Sequence, residues 1–421
     1  RDLHKEYRRQ RQMCIRDRNT CLKMRALFPE TPLQKNEYLS NIYGANIYLK
    51  REDLSPVRSY KIRGAFNAMS KAIKAGKTPK FVCASAGNHA QGFAYACQHF
   101  GVKGRIYMPV TTPQQKITKT ASFGGNNIEI IMQGDYFDET LKAAEVYSDK
   151  TGAEMLPPFD HLDVIEGQAS VGVEILNQLE TPPDMIITPV GGGGLSSGLV
   201  KYFNTQKIDF KFCEPMGGRS LYQSLKEKSL ITLDHVDNFV DGAAVARIGD
   251  NNFDILKNQN IENVLGIPEG RICATITEML NIEGIVLEPA GALSIDALKD
   301  IRDQIVGKNV VCITSGGNFD FERLPDIKER ALRFEGLKKY FILRMPQRPG
   351  ALKDFLNLLG PNDDIARFEY LKKSARNFGS VLLGIESGSV EGFNELCKRM
   401  KDNGFSYEDI TNDDVLAQIL I

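Results

Sequence analysis

A chain of 421 residues exceeds what one hydrophobic core usually spans, so two or three domains are expected. Its 42% hydrophobic and 25% charged content is that of a globular protein, and 53 basic residues balance 53 acidic ones, which leaves no global attraction to nucleic acid or an anionic membrane. No apolar run approaches the roughly 18 residues of a membrane span. The eight cysteines form no Cys-x-x-Cys pair and the five histidines show no metal-ligand spacing, so the expectation is a cytoplasmic protein with reduced thiols and no metal, nucleic-acid or membrane partner.

In chain order, the first 20 residues do not match the rest. Arg8-Arg9 and Arg16-Asp17-Arg18 lie in a stretch with little apolar periodicity and without the apolar core of a secretory signal. Residues 1–20 read as a non-native or disordered extension, with 13–18 resembling translated vector sequence. From residue 21 to about 335, short strand-like runs alternate with helical stretches. The runs are Ile47-Tyr48-Leu49, Phe81-Val82-Cys83, Arg105-Ile106-Tyr107-Met108, Met185-Ile186-Ile187-Thr188 and Asn309-Val310-Val311-Cys312-Ile313. Such alternation predicts an α/β fold, a mainly parallel sheet covered by helices, with ligands at the carboxyl ends of its strands. After Gly336 a strand over 339–345, a helix over 349–359, strands over 365–371 and 380–386, a helix over 391–402 and a last strand beyond Gly404 are expected. That β-α-β-β-α-β order is ferredoxin-like, an α+β module.

Four short motifs carry the chemistry. Lys61 lies in Ser59-Tyr60-Lys61-Ile62-Arg63-Gly64-Ala65, just before a helix expected to begin near Arg63. A lysine that holds an aldehyde as a Schiff base must lose its proton and be released again to act as a base. Arg63, a neighbouring cation, would help lower its pKa; a surface lysine at a helix start is the plain alternative. Ser85, Ala86, Gly87, Asn88 and His89 join a strand to a helix. Their backbone N–H groups suit a substrate carboxylate and Asn88 suits a phenolic oxygen, with an ordinary N-cap as the alternative. Gly191, Gly192, Gly193, Gly194 and Leu195 lead from an apolar strand into a helix, where converging N–H groups suit a phosphate. This loop is neither a Walker loop nor a dinucleotide fingerprint, and a flexible linker is its bland reading. Thr314-Ser315-Gly316-Gly317-Asn318 is a second polar glycine turn. Taken together and in this order, the four fit a phosphate-bearing aldehyde, pyridoxal 5'-phosphate.

These segments, with residues 49–53, 239–244 and 288–292, make residues 31–334 resemble the threonine deaminase family, in the pyridoxal phosphate fold of the tryptophan synthase β type. Serine racemase shares that fold. The tail, with Arg348-Pro349-Gly350-Ala351-Leu352, is similar to the single ACT-like regulatory domain of the shorter biosynthetic forms. The resemblance implies a catalytic domain over 21–335 with a smaller subdomain at about 45–155, an ACT-like domain over 336–421, and a homotetramer. It also implies that Lys61 holds the cofactor, that Asn88 contacts its O3′ and that Gly191, Gly192, Gly193, Gly194 and Leu195 bind its phosphate. Ser315 is implied to face the pyridine nitrogen, with Ser85, Ala86, Gly87 and His89 at the substrate. A serine cannot hold that nitrogen protonated by ion pairing, which favours elimination over transamination.

The implied activity is deamination of L-threonine to 2-oxobutanoate and ammonia, the first step towards isoleucine. Lys61 would take the Cα proton, L-serine would be a second substrate, and isoleucine, or valine, the effector. Two departures bear on this. Ala86 stands where the racemases carry a second serine, which favours dehydration over racemisation. Glu214-Pro215 is followed by Met216-Gly217-Gly218 instead of the acidic residues of metal-binding relatives. The alternatives are a catabolic serine/threonine dehydratase, a serine racemase, or a non-enzymatic amino-acid sensor on the same scaffold. Intact Lys61, Asn88 and Ser315 speak against the last.

Overall fold

The computed structural model describes residues 19–76, 80–371 and 377–413. Most of the extension set aside above lies outside them, but its last residues belong to the fold. Thr20 is buried and its hydroxyl donates to Glu166 at 3.0 Å. The described residues divide into two compact units, one from the chain up to Glu269 with Met279–Asp320, the other from Gly270–Glu278 with the chain from Phe321 onward.

The first unit holds two sheets. The larger has six strands in the order β1 (Leu33–Lys35), β2 (Asn46–Arg51), β10 (Asn309–Thr314), β7 (Met185–Pro189), β8 (Asp209–Pro215) and β9 (Val264–Ile267). Only β1 runs antiparallel, against β2. Every residue of β7 is buried, as expected of a strand covered on both faces by helices. The smaller sheet is wholly parallel, in the order β5 (Ile128–Met132), β4 (Lys103–Met108), β3 (Lys80–Ala84) and β6 (Glu154–Met155). Each sheet has its own core. Phe212, Leu199, Val190 and Ile313 belong to the larger one, and Phe81, Phe93, Ile106 and Met69 to the smaller. The smaller lobe therefore cannot begin at residue 45, since β2 pairs with β10 inside the larger sheet from Asn46 to Arg51.

A buried charge cluster joins the two lobes beneath the site. The Arg63 guanidinium donates to Glu52 Oε2 at 2.7 Å and to Glu174 Oε1 at 2.8 Å, all three side chains being fully buried. Lys50 donates to Glu174 at 2.7 Å. Arg63 stands two residues into the helix Lys61–Lys74, while Glu174 lies on the helix Leu162–Gln178. The close approach of these helices also needs small residues, because a Cβ at Gly167 would meet the Arg63 carbonyl oxygen at 2.5 Å.

In the second unit four antiparallel strands run in the order β12 (Asp363–Leu371), β13 (Phe378–Ser387), β11 (Lys338–Pro346) and β14 (Ser406–Asp409). The helix Val390–Asp402 and the short helix Ala351–Leu356 bury Phe393, Leu396 and Phe355 against Phe341, Leu343 and Leu383. This is the ferredoxin-like order, with a first helix shorter than its pattern suggested. The second unit also begins earlier than residue 336. The helix Leu324–Phe334 belongs to it, with Glu329 paired to Lys338 and Arg333 donating to the Thr411 carbonyl.

Candidate active site

All four motifs sit at the carboxyl ends of strands or in the turns beside them, and backbone bonds join two of them. Tyr60 donates its N–H to the Ser315 carbonyl at 3.2 Å, and Gly317 donates to the Arg58 carbonyl at 2.9 Å. The lysine turn and the second glycine turn are thus held as one piece. Glu288 donates its N–H to the Gly316 carbonyl at 3.3 Å. Gly291 is indispensable here, since a Cβ would meet that same carbonyl oxygen at 2.1 Å.

Lys61 is the first residue of its helix, two positions earlier than expected. Its Nζ donates to the Pro158 carbonyl at 2.9 Å and lies 5.3 Å from the Tyr60 ring and 5.7 Å from the Phe159 ring. Loss of hydration among these groups lowers the amine to about 8, with the Glu288 carboxylate pulling the other way. The neighbouring Arg63 does not supply this effect. Its guanidinium is turned into the buried cluster and spent on Glu52 and Glu174.

The glycine loop is built to expose its N–H groups. The Gly192 carbonyl is pinned by two donors, Gly249 N–H at 3.1 Å and Asn252 Nδ2 at 2.7 Å. In a trans peptide this turns the Gly193 N–H to the opposite side. Gly193 has φ of 89° and caps the helix Gly194–Tyr202, whose first N–H groups lack intrahelical partners. A Cβ at Gly192 would meet the Phe159 ring at 2.3 Å, so the ring that flanks Lys61 also packs on this loop. The Leu195 side chain is buried in the core of the larger sheet, so only its backbone can face a ligand.

In the Ser85 turn, Asn88 opens the helix Asn88–Phe100. Its Nδ2 donates to Glu288 Oε1 at 2.6 Å, and its Oδ1 accepts from Asn318 Nδ2 at 2.5 Å. Ser85 donates its N–H to the Tyr107 carbonyl at 3.0 Å, and its hydroxyl oxygen accepts from Gly87 and Ala90. Ala86 and Gly87 are partly accessible. The sequence favours His89 as a support for the loop over an acid or base. It is buried, and its Nε2 lies 2.9 Å from the Leu156 carbonyl, which requires that nitrogen to be the donor. Burial and the nearby Lys61 drive its pKa down to about 3, so the ring stays neutral and supports the loop. Ser315 is buried with its hydroxyl donating to the Ala290 carbonyl at 3.2 Å.

Glu288 was not singled out as a site residue by sequence reasoning. Burial and the charge of Asp241 push its carboxyl up to about 7, opposed by the Asn88 amide and Lys116. It is the N-cap of the helix Pro289–Asp296. Glu214, the acid of the other Glu-Pro turn, accepts from the N–H groups of Leu221 at 2.7 Å and Tyr222 at 2.9 Å. Among the described residues no cluster of three His, Cys, Asp or Glu side chains could hold a metal ion.

Comparison with known proteins now decides the family. Residues 25–316 match the family model described as pyridoxal-phosphate dependent enzyme, and residues 329–420 match the C-terminal regulatory domain of threonine dehydratase. The chain belongs to the pyridoxal-phosphate dependent enzymes, among the biosynthetic threonine dehydratases. It is 47% identical to L-threonine dehydratase biosynthetic IlvA of Bacillus subtilis over 93% of each chain, and 44% identical to that of Staphylococcus aureus N315 over 95% of this chain and 96% of the relative. Among solved structures, threonine deaminase isoform 2 of Solanum lycopersicum superposes with a TM-score of 0.70 at 35% identity, over 76% of this chain and 93% of that one. The serine racemase of Dictyostelium discoideum superposes with a TM-score of 0.66 at 27% identity, over 73% and 99%. The family's cofactor is pyridoxal phosphate, and the residues fit it. A half-buried lysine with an eased proton, a loop whose N–H groups are turned out by a pinned carbonyl, and a glycine where any Cβ would strike Phe159 suit a phosphate-bearing aldehyde.

Proposed function

We propose that the chain deaminates L-threonine to 2-oxobutanoate and ammonia, with L-serine as a secondary substrate. The observation that carries this reading is Lys61 at about 8 beside a phosphate-suited glycine loop, in a chain that shares 44–48% identity with the biosynthetic threonine dehydratases. Lys61 would anchor pyridoxal phosphate, the N–H groups of Gly191 to Leu195 would hold its phosphate, Asn88 its phenolic oxygen, and Ser315 its ring nitrogen. When bound, the cofactor supplies the electron withdrawal that makes Cα acidic and the β-hydroxyl expellable.

The chain's own groups do the rest. The Lys61 amine, once freed, would take the Cα proton; burial lowers it to about 8, so more of it is in the basic form at neutral pH than of an ordinary lysine. The partly accessible Ala86–Gly87 segment and the Ser85 hydroxyl hold the substrate carboxylate. The β-hydroxyl would leave as water with a proton that balances the one taken from Cα, and the released enamine would tautomerise to an imine that one water hydrolyses to 2-oxobutanoate and ammonia. Ala86 carries no hydroxyl to deliver a proton to the opposite face of Cα, which supports elimination over racemisation. A second reading as a racemase gains nothing from the site.

The tail supports a further part of the proposal. Residues matching a regulatory domain of threonine dehydratase call for an effector, and isoleucine, or valine, is the amino acid whose synthesis would be controlled. We place the enzyme in the cytoplasm as a homotetramer; no helix among the described residues is long and apolar enough to cross a membrane. Production of 2-oxoacid from L-threonine, L-serine and D-serine, with and without isoleucine, tests this reading. Threonine should be the best substrate and isoleucine should lower its turnover, with a coupling of roughly 1–3 kcal/mol. Faster turnover of D-serine, or racemisation outpacing deamination, would overturn the assignment.

A further inference from the structure

Asn318 closes the last of the four motifs, yet the reaction as described gives it no task. Its surroundings do. Asn318 Nδ2 donates to Asn88 Oδ1 at 2.5 Å and to the Val57 carbonyl at 2.9 Å. Its Oδ1 accepts from the ammonium of Lys119, which comes from the helix Gln114–Gly124 of the smaller lobe. The charged groups acting on that ammonium are Arg58 and Glu288, and burial eases its proton.

The direction of every bond in this chain is set from outside. An ammonium only donates and a backbone carbonyl only accepts. Lys119 therefore fixes which end of the Asn318 amide is oxygen, and Val57 fixes which end is nitrogen. The nitrogen end then faces Asn88 and requires an oxygen there. With Oδ1 of Asn88 so committed, its Nδ2 must point the other way. One of its two hydrogens goes to Glu288 Oε1 at 2.6 Å, and the second is left for a ligand. Glu288 and Asn318 thus hold the Asn88 amide from its two ends, the carboxylate by accepting from Nδ2 and Asn318 by donating to Oδ1.

We infer that Asn318, backed by Lys119, is a positioning residue that orients the Asn88 amide so that its N–H edge meets the phenolic oxygen of the cofactor. The inference rests on the proposed contact between Asn88 and that oxygen. It assigns no contact with the reacting atoms to Asn318 itself.

The test compares the affinity of the apo chain for pyridoxal 5'-phosphate with its affinity for 3-deoxypyridoxal 5'-phosphate, which lacks the phenolic oxygen. The change in the ratio of the two dissociation constants from the unaltered chain to a variant reads the hydrogen bond, since the other effects of removing the phenolic oxygen are common to both, and the deoxy ligand reports whether each variant is folded. Asn318→Asp keeps the size and the Lys119 pairing but cannot donate to Asn88; Asn318→Leu removes both polar ends without adding charge. Each should lower the preference for the natural cofactor by about tenfold, the worth of one hydrogen bond to an ionised oxygen. Asn88→Ala should do the same. An unchanged ratio in Asn88→Ala overturns the Asn88 contact and this inference with it. A fall in Asn88→Ala with no fall in either Asn318 variant overturns the inference alone. A fall confined to Asn318→Asp reports charge repulsion and also overturns it.

Discussion

Replacing Arg63 by methionine removes the donors at the centre of the buried cluster while keeping most of the stem volume. Six bonds disappear: two each to Glu52 (2.7 and 2.8 Å) and Glu174 (both 2.8 Å), one to Ser170 Oγ (3.0 Å) and one to Thr31 Oγ1 (3.1 Å). Both carboxylates are fully buried, and breaking such a pair costs about 3–5 kcal/mol, because a buried charge is left uncompensated. Lys50 and Arg25 remain on Glu174 and the Thr31 hydroxyl on Glu52, so the lower end, about 3 kcal/mol, is expected. In a large unit that corresponds to a thermal midpoint about 6 °C lower at pH 7.

The same substitution has a pH signature. Arg63 and Lys50 hold the Glu174 carboxyl far below the usual range, against an unfolded value of about 4.3. A depressed pKa contributes stability that is present above the unfolded value and lost as pH falls towards the folded one. Arg63→Met forfeits much of this contribution, so the gap between the two proteins should be widest near neutrality and narrow below about pH 5. Thermal melts of both proteins from pH 8 to 4 would measure it. A difference of less than about 1 kcal/mol, the range of an exposed pair, or one that does not change with pH, would refute the reasoning.

Lys61→Ala should leave the chain folded by circular dichroism but colourless with pyridoxal phosphate and without turnover, since anchor and base are lost together. In the unaltered apo chain, capture of the cofactor should rise with pH and reach half its maximum near the Lys61 value of about 8, because only the neutral amine reacts; a midpoint near the ordinary lysine value would contradict the burial argument. Gly192→Ala drives a Cβ to 2.3 Å from the Phe159 ring and should cost about 1–3 kcal/mol of stability through overpacking, together with weaker cofactor binding in an equilibrium titration. Ala86→Ser should keep deamination and introduce slow racemisation of serine, followed by chiral chromatography of the residual substrate.

Much of the fold was legible because its signals are local. The apolar runs at Met185–Pro189 and Asn309–Thr314 are fully or almost fully buried strands, and the tail's alternation marked its strands to within a few residues. What failed were boundaries decided by pairing. Strand β2 is a short apolar run like any other, and only its register with β10, Val310 opposite Ile47, assigns it to the larger sheet. Likewise the helix Leu324–Phe334 reads as the end of the preceding domain until Glu329 is seen against Lys338.

The site divides along the same line. Glycine cradles and strand-to-helix turns are made by consecutive residues, so their chemistry can be read where it stands. Polar pairing in this cleft is long-range instead. Asn88 and Glu288 are 200 residues apart, Asn88 and Asn318 are 230 apart, and neither pair leaves a local trace. The segment at 49–53 shows the consequence: in sequence it is a row of charges that resembles a family, whereas in the fold Lys50, Arg51, Glu52 and Asp53 are all buried. A solvated face could be scrambled at little cost; buried charges must each meet a partner, and here Arg51 and Asp53 pair with each other while Lys50 and Glu52 meet Glu174 and Arg63 on two helices. The geometry of Lys61 is thereby tied to residues that never approach a substrate, so substitutions in the Glu52–Arg63–Glu174 cluster should disturb stability first and turnover through it.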